Sequence, residues 1–307
     1  AWAATDRARA EAWLAHLAHT RRLSGHTLAA YRRDLAAFGD WARSQQISRF
    51  EDFDTHHIRS YAAAIHRAGL DPRSIQRRLS SLRTFFQYLL GEGHLKRNPV
   101  VGVAAPKTAR RLPDVIDVDR MSRLLDGEPA KAGPTGPLDL RDQAMMELFY
   151  SSGLRLSELV GLNLPDLDLR DRTVRVTGKG SKTRIVPVGR KAAEACQQWL
   201  AERPALLAGD EAAVFIGRNG RRIGTRAVQL RVARWARLRG LDVHVHPHLF
   251  RHSFASHMLE SSHDLRGVQE LLGHANLSTT QVYTHLDFQH LAKVYDAAHP
   301  RARRRKD

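Results

Sequence analysis

The feature that most constrains the fold is a change of pattern near residue 100 of the 307-residue chain. Before it, apolar residues recur every three or four positions, which is typical of amphipathic helices. After Asn98-Pro99, the segment 101–113 has no such period and contains prolines and small residues instead. A single hydrophobic core rarely serves a chain of about 300 residues. We therefore predict a helical domain over 1–100, a linker over 101–113, a second domain over 114–297 and a basic tail over 298–307.

Four helices are predicted in the first hundred residues. The second begins near Ser24, and the third runs from a cap at Thr55 to Gly69. The fourth opens with Asp71 as its N-cap and Pro72 in its first turn. Its inward face is predicted to consist of Ile75, Leu79, Leu82 and Phe86. Three arginines in its first turns either reach phosphates or form a solvated face: Arg73, Arg77 and Arg78.

The chain is strongly basic, with 49 Lys and Arg against 32 Asp and Glu and a formal net charge of +17. The excess is spread over both halves, because residues 1–106 hold 16 basic and 9 acidic residues and the remainder holds 33 and 23. Two basic domains on one chain favour a clamp that neutralises phosphates on two sides of a duplex. We therefore expect double-stranded DNA as the partner and a C-shaped arrangement of the two domains.

Neither a membrane protein nor a secreted protein is expected. No window approaches the roughly 18 uninterrupted apolar residues of a membrane helix, and the first ten residues carry charges where a signal peptide has an apolar core. The single cysteine, Cys196, permits no internal disulfide and is expected to be a buried residue without a function. An intracellular, reducing location without contact with membranes is the simplest expectation.

Two motifs in the second half carry cations whose roles stay open when each is considered alone. Arg155 follows a helix break at Ser152-Gly153 and could either pair with Glu158 or bind an anion. The run TVRVTGKGSKTRIVPV predicts a β-hairpin with Lys179 at its tip. It lacks the GxxxxGK[ST] pattern of a nucleotide-binding loop, so Lys179 is either a plain turn residue or a cation that approaches a ligand.

The run HVHPHLFRHSFASHML predicts a helix that begins at Pro247, with His248 and Arg251 on one face. A phosphate is the ligand that fits this pair best. Zinc is a weaker alternative, because no Cys, no carboxylate and no HExxH motif accompanies the four histidines. These are His244, His246, His248 and His252.

A third candidate region follows the helix predicted to end at Gly273. His274 lies on the connection, and a capping box over 278–281 opens the short helix that contains Tyr283. A buried structural tyrosine is the usual role, since a phenol with a pKa near 10 is a poor nucleophile. Tyr283 needs nearby cations if it is to react.

Taken in order, these motifs resemble the tyrosine recombinase (phage integrase) family. The matching elements are GLRLSEL at 153–159, Lys179 in a hairpin, HLFRH at 248–252, LGH at 272–274 and Tyr283. The resemblance implies a mainly α fold with a small β-hairpin or sheet in the second domain. It further implies a helical core-binding domain and a tyrosine recombinase catalytic domain that close around DNA.

The resemblance also implies a role for each matching residue. Arg155 and Arg251 hold the scissile phosphate, and His248 and His274 complete the pocket. Lys179 is the general acid, and Tyr283 attacks phosphorus to form a 3′-phosphotyrosyl intermediate. No cofactor and no metal are expected, because these motifs supply neither a phosphate-binding loop nor the carboxylate cluster of a two-metal nuclease.

Within the family, the segment 274–300 resembles the XerC branch more than the XerD branch. That branch implies resolution of chromosome dimers during cell division, with a XerD-like partner in a tetrameric synapse and a DNA translocase as activator. The helix after Tyr283 is implied to dock on a neighbouring protomer, while packing on its own domain is the alternative. Three other functions stay open, namely a phage- or cassette-type integrase, a type IB topoisomerase-like enzyme and a non-catalytic DNA-binding protein.

Overall fold

The computed structural model describes residues 4–21, 23, 25–106, 115–127, 136–178, 183–209, 211–241, 244–273, 295 and 298–302. The chain divides into two compact units, Ala1–Arg110 and Arg111–Asp307. The boundary lies inside the predicted linker, but Val100 and Val103 are buried in the core of the first unit. The start of that segment is therefore packed, because its valines fill the end of an apolar core.

Four α-helices lie in the described part of the first unit. They are α1 (Ala4–His19), α2 (Gly25–Ser44), α3 (Thr55–Arg67) and α4 (Pro72–Gly91). Asp71 caps α4 through the backbone N–H groups of Arg73 and Ser74, as predicted. The cap of α3 is Asp54 rather than the predicted Thr55, because the Asp54 carboxylate accepts from the backbone of His57.

The core of the first unit is rich in aromatic residues. The predicted inward residues of α4 are all buried there, with Trp13, Phe38, Phe50, Tyr61 and Phe85. One buried carboxylate also lies on its edge. Asp34 of α2 is 2% exposed and binds Arg77 and Arg78 of α4. Two of the three arginines expected to reach phosphates or solvent are thus held by an internal partner.

The second unit is built around one buried helix. Its helices are α5 (Val118–Asp126), α6 (Pro137–Ser152), α7 (Leu156–Gly161), α8 (Arg190–Glu202), α9 (Thr225–Leu238), α10 (Pro247–Ser262) and α11 (Leu265–Leu272). The helices α5, α8, α9 and α10 and one strand all contact α6. Cys196 lies in this core and is fully buried. Among the described residues, no helix is both long and apolar enough to cross a membrane.

A small antiparallel sheet completes the second unit. Its strands are β1 (Leu167–Asp168), β2 (Thr173–Thr177) and β3 (Thr183–Pro187), in the order β1-β2-β3. Val174 pairs with Val186, and Thr177 pairs with Thr183. The predicted hairpin is confirmed in its strands, while its tip at 179–182, with Lys179, lies outside the described residues. The mainly helical fold with a small sheet in the second domain is also confirmed.

The C-terminal residues that the structure describes belong to the core of the second unit. Tyr295 is 1% exposed, and its hydroxyl lies 2.8 Å from the Ser151 hydroxyl oxygen. Arg301 is 5% exposed and binds both the buried Glu147 and the more exposed Asp126. Residues 298–302 were expected to open a basic tail, but this part is packed, because Arg301 pairs with the buried carboxylate of Glu147.

Candidate active site

A tight turn between α6 and α7 places the first candidate residue. Gly153 ends α6 in the left-handed conformation, with φ of 58°. A Cβ atom there would lie 2.5 Å from the Phe254 ring, so the close approach of α10 requires glycine. Arg155 then stands as the N-cap of α7, and its side chain is 35% exposed. The turn therefore brings a partly exposed guanidinium to the end of a buried helix.

Glu158 binds this guanidinium and a second one. Its Oε1 accepts from Arg155 Nη1 at 2.8 Å, and its Oε2 accepts from the Arg155 backbone N–H at 2.8 Å. Arg184 of β3 donates to the same two oxygens at 2.7 and 3.1 Å. The Glu158 side chain is only 1% exposed. Arg155 is thus an ion-pair partner of Glu158, and its exposed part stays available to an anion.

The second predicted arginine reaches the same turn from α10. Arg251 Nη1 donates to the Gly153 carbonyl at 2.6 Å, and its Nη2 donates to the Leu272 carbonyl at 2.5 Å. Arg155 Nη2 donates to the Gly273 carbonyl at 3.2 Å. The two guanidinium groups therefore bind neighbouring carbonyls at the end of α11. This common anchor brings Arg155 and Arg251 together although 96 positions of sequence separate them.

The electrostatics of the cluster favour an anion. Three guanidinium groups and one carboxylate leave an excess of two positive charges among Arg155, Arg184, Arg251 and Glu158. Burial opposes ionisation of Glu158, but its hydrogen bonds and charge interactions with Arg184 and Arg155 outweigh burial and lower its pKa. Burial, together with repulsion from Arg155, lowers the pKa of Arg251 to about 10. Arg251 stays charged at neutral pH, and a phosphate would relieve the repulsion between the two guanidinium groups.

The other predicted site residues fall into two groups. His248 is exposed on α10, one turn before Arg251, and its ring centre lies 6.3 Å from that of His246. Lys179, His274 and Tyr283 lie outside the described residues. The strand β3 begins four residues after Lys179, and Gly273 directly precedes His274.

Arg184 is the residue of this cluster that sequence reasoning missed. The signal was present in the strand, because Arg184 alternates with Ile185 and shares its side of the sheet with the buried Val186. An arginine in a core-facing strand position needs a carboxylate partner. Its partner, Glu158, was considered only as a partner of Arg155.

The weaker zinc hypothesis receives no support from the described part of the chain. Within it, no three His, Cys, Asp or Glu side chains lie close enough together to hold a metal ion. His246 instead caps α10, where its Nδ1 accepts from the backbone N–H of Leu249 at 3.2 Å.

Comparisons with known proteins agree along most of the chain. A model described as the phage integrase family matches residues 114–290, and one described as the phage integrase N-terminal SAM-like domain matches residues 10–93. The tyrosine recombinase XerC of Alcanivorax borkumensis is 55% identical over 296 residues, which is 96% of this chain and 94% of the relative. That of Stutzerimonas stutzeri is 56% identical over 298 residues, which is 97% of each.

Two solved structures share the fold. The XerH site-specific recombinase bound to palindromic difH substrate is 22% identical, has a TM-score of 0.65 and covers 88% of this chain and 79% of its own. A lambda integrase dimer bound to a COC′ core site is 19% identical, has a TM-score of 0.66 and covers 90% of this chain and 99% of its own.

Proposed function

The chain belongs to the phage integrase family and is a site-specific DNA recombinase, and from this premise we propose that it cuts and rejoins double-stranded DNA through Tyr283. The observation that carries the proposal is the shared anchor of Arg155 and Arg251 at the end of α11. We assign the scissile phosphate to these two guanidinium groups. His248 and His274 complete the phosphate pocket, and Lys179 is the general acid.

In the proposed reaction, the Tyr283 phenol oxygen attacks phosphorus and gives its proton to an imidazole of the pocket. A bond from phosphorus to tyrosine forms while the bond from phosphorus to the 5′ oxygen breaks. Lys179 protonates the departing oxygen, which leaves as a 5′-hydroxyl. Attack by the 5′-hydroxyl of a partner strand reverses these steps. Because the tyrosyl ester conserves the energy of the broken bond, rejoining needs no ATP.

The positive cluster supplies what this transition state lacks. Negative charge grows on the equatorial phosphate oxygens, where preorganised cationic donors stabilise it most. Removal of one such donor is expected to cost about 3–4 kcal/mol, or a factor of several hundred in rate. Arg155→Gln and Arg251→Gln should therefore bind DNA and cleave it slowly.

The test is covalent trapping on a nicked suicide duplex that carries the sequence the full chain itself selects from a random library. The wild-type chain should become attached to the 3′ end, whereas Tyr283→Phe should bind with similar affinity and form no adduct. An adduct formed by Tyr283→Phe would show that another residue is the nucleophile. A wild-type chain that binds and never cleaves would favour a DNA-binding protein without activity.

We also propose that the chain resolves chromosome dimers with a second, XerD-like recombinase in a tetrameric synapse. The relatives that are 55 and 56% identical over nearly the whole chain are named XerC, which supports this branch. Activation by a DNA translocase and association with the nucleoid belong to the same proposal. Plasmids with two selected sites should yield crossover products only when the XerD-like partner is added. Efficient exchange by this chain alone would favour an integrase role, and relaxation without site preference would favour a topoisomerase.

A further inference from the structure

We propose that Arg184 is a positioning residue for strand cleavage, which holds Glu158 so that Glu158 in turn orients Arg155. This inference rests on the proposed function, because it takes Arg155 as a ligand of the scissile phosphate. Arg184 itself is 8% exposed at its side chain and belongs to β3. It acts through its neighbours and is not expected to touch DNA.

Arg184 makes contacts in three directions. Its Nη1 and Nη2 bind Glu158 Oε1 and Oε2 at 2.7 and 3.1 Å, which is the bidentate geometry of a strong ion pair. Its Nε donates to the Leu271 carbonyl at 3.1 Å. Its side chain also lies flat against Gly273, where an added Cβ atom would be 3.1 Å from Arg184 Cδ, Nε and Nη1. One guanidinium therefore joins β3, α7 and the end of α11.

Each of these three elements lies next to a proposed site residue in the sequence. Arg155 precedes α7, Lys179 lies five residues before Arg184 along the hairpin, and His274 follows Gly273 directly. A shift of Arg184 would thus be passed to Arg155 through Glu158, and to the backbone at Gly273. If packing alone mattered at position 184, an apolar side chain would fill the space without the cost of removing a charge from water. The strand instead has the charged Arg184 on its buried side and the apolar Ile185, which is 51% exposed, on its outer side.

Loss of Arg184 would remove one of the two guanidinium groups that neutralise the Glu158 carboxylate. The carboxylate, which is 1% exposed, would then depend on Arg155 for its charge partner and draw that guanidinium inward. An error of about 1 Å in the position of a catalytic group costs about 100-fold in rate. We therefore expect slower cleavage without a matching loss of DNA affinity.

The experiment compares Arg184→Lys and Arg184→Met with Arg203→Met as the matched control. Arg203 is another buried arginine of this unit, 4% exposed, and it donates to the carbonyls of Ala213 and Glu211. Cleavage is followed under single turnover with excess full-length chain on the selected nicked duplex. A positioning role lowers the rate constant by about 100-fold at unchanged DNA affinity. A purely structural role lowers the amplitude, because fewer molecules are folded while the folded ones react normally.

Both Arg184 variants should show the slow rate constant. Arg203→Met should keep the wild-type rate constant, whether or not its amplitude falls. Glu158→Gln combined with Arg184→Lys should be about as slow as the slower single variant, because both changes break one chain of contacts. Multiplied effects, or Arg184 variants with the wild-type rate constant, would overturn the inference. The wild-type chain and Tyr283→Phe are measured in parallel. Failure of the wild-type chain to cleave would contradict the proposed function, which is a separate outcome.

Discussion

At the scale of single residues, Gly153 links backbone geometry to the site. Its φ of 58° suits glycine, and its carbonyl accepts a hydrogen bond from Arg251 at 2.6 Å. The Phe254 ring and the Leu272 side chain fill the space where a Cβ atom would stand. The same residue therefore permits the turn before Arg155 and anchors Arg251.

Gly153→Ala is expected to lower both stability and cleavage. The left-handed conformation and the clash with Phe254 should together cost about 1–3 kcal/mol of unfolding free energy, measured by urea denaturation. The cleavage rate constant should also fall, since the turn positions both guanidinium groups. Gly161→Ala is the control, because its Cβ atom would meet open space and stability should change by less than about 1 kcal/mol. Equal stability of the two variants would contradict this account of the turn.

His299 is a second residue whose surroundings determine its chemistry. Its Nδ1 accepts from the Arg301 backbone N–H at 3.1 Å, and its Nε2 lies 3.3 Å from the Tyr150 carbonyl oxygen. Its ring stacks on Tyr295 with centres 4.8 Å apart. Burial lowers its pKa to about 3, although the hydrogen bond to Tyr150 opposes the shift. The folded chain thus holds a neutral imidazole.

The depressed pKa of His299 predicts a loss of stability in mild acid. The unfolded chain takes up a proton near pH 6.5, whereas the folded chain resists protonation down to about pH 3. The contribution is therefore complete above pH 6.5 and falls by up to about 1.4 kcal/mol per pH unit below it. His299→Phe keeps the aromatic stack and should flatten this slope in urea titrations between pH 7.5 and 5.5. The buried His257, whose pKa burial also lowers, should leave a residual slope. Identical slopes for both chains would contradict the prediction.

At the scale of elements, the C-terminal segment is held by one ion-pair network. Arg301 Nη1 and Nη2 bind Asp126 at 2.8 and 2.9 Å, and the same guanidinium binds Glu147 of α6. Lys191 of α8 shares Asp126 at 2.8 Å. Glu147 is 2% exposed, so its charge depends on Arg301. The segment thus closes one side of the buried helix α6.

Arg301→Met should destabilise the second unit strongly. It leaves the Glu147 carboxylate buried without its partner, which typically costs about 3–5 kcal/mol. Lys191→Met is the control, because Lys191 is 38% exposed and such pairs contribute about 0–1 kcal/mol. The double variant Arg301→Met with Glu147→Leu should recover much of the loss, since no unpaired charge remains. An Arg301→Met chain as stable as the control would mean that the network adds nothing.

Elements that depend on neighbouring residues are predictable from the sequence, and contacts between distant residues are not. The start of α4 at Asp71-Pro72 and the hairpin strands depend on neighbouring residues, so a local pattern was sufficient. The partners of Arg184 and Arg301 are 26 and 154 positions away, and their pairing depends on tertiary packing. The basic composition of 298–307 predicts an exposed tail, but the fold buries Arg301 in this segment. The α3 cap was misassigned because Asp54 and Thr55 are both good caps.

At the scale of the whole molecule, basic residues outnumber acidic residues in both units. Many arginines are nevertheless engaged within the fold, as Asp34 holds Arg77 and Arg78. Only charges that meet phosphates release counterions, so the total of 49 Lys and Arg overstates the number of DNA contacts. The salt dependence of DNA binding counts those contacts directly.

Arg73, exposed in the first turn of α4, is expected to be one of them. Arg73→Gln should weaken binding to the selected duplex and reduce the slope of log affinity against log salt by about 1, measured by fluorescence anisotropy. Arg43→Gln is the control on the same unit, because Arg43 is equally a surface arginine but pairs with Asp40 at 3.3 Å. Its slope should match that of the wild-type chain. If both variants changed the slope equally, the loss would reflect net charge, and if neither did, α4 would not meet phosphate through its first turn.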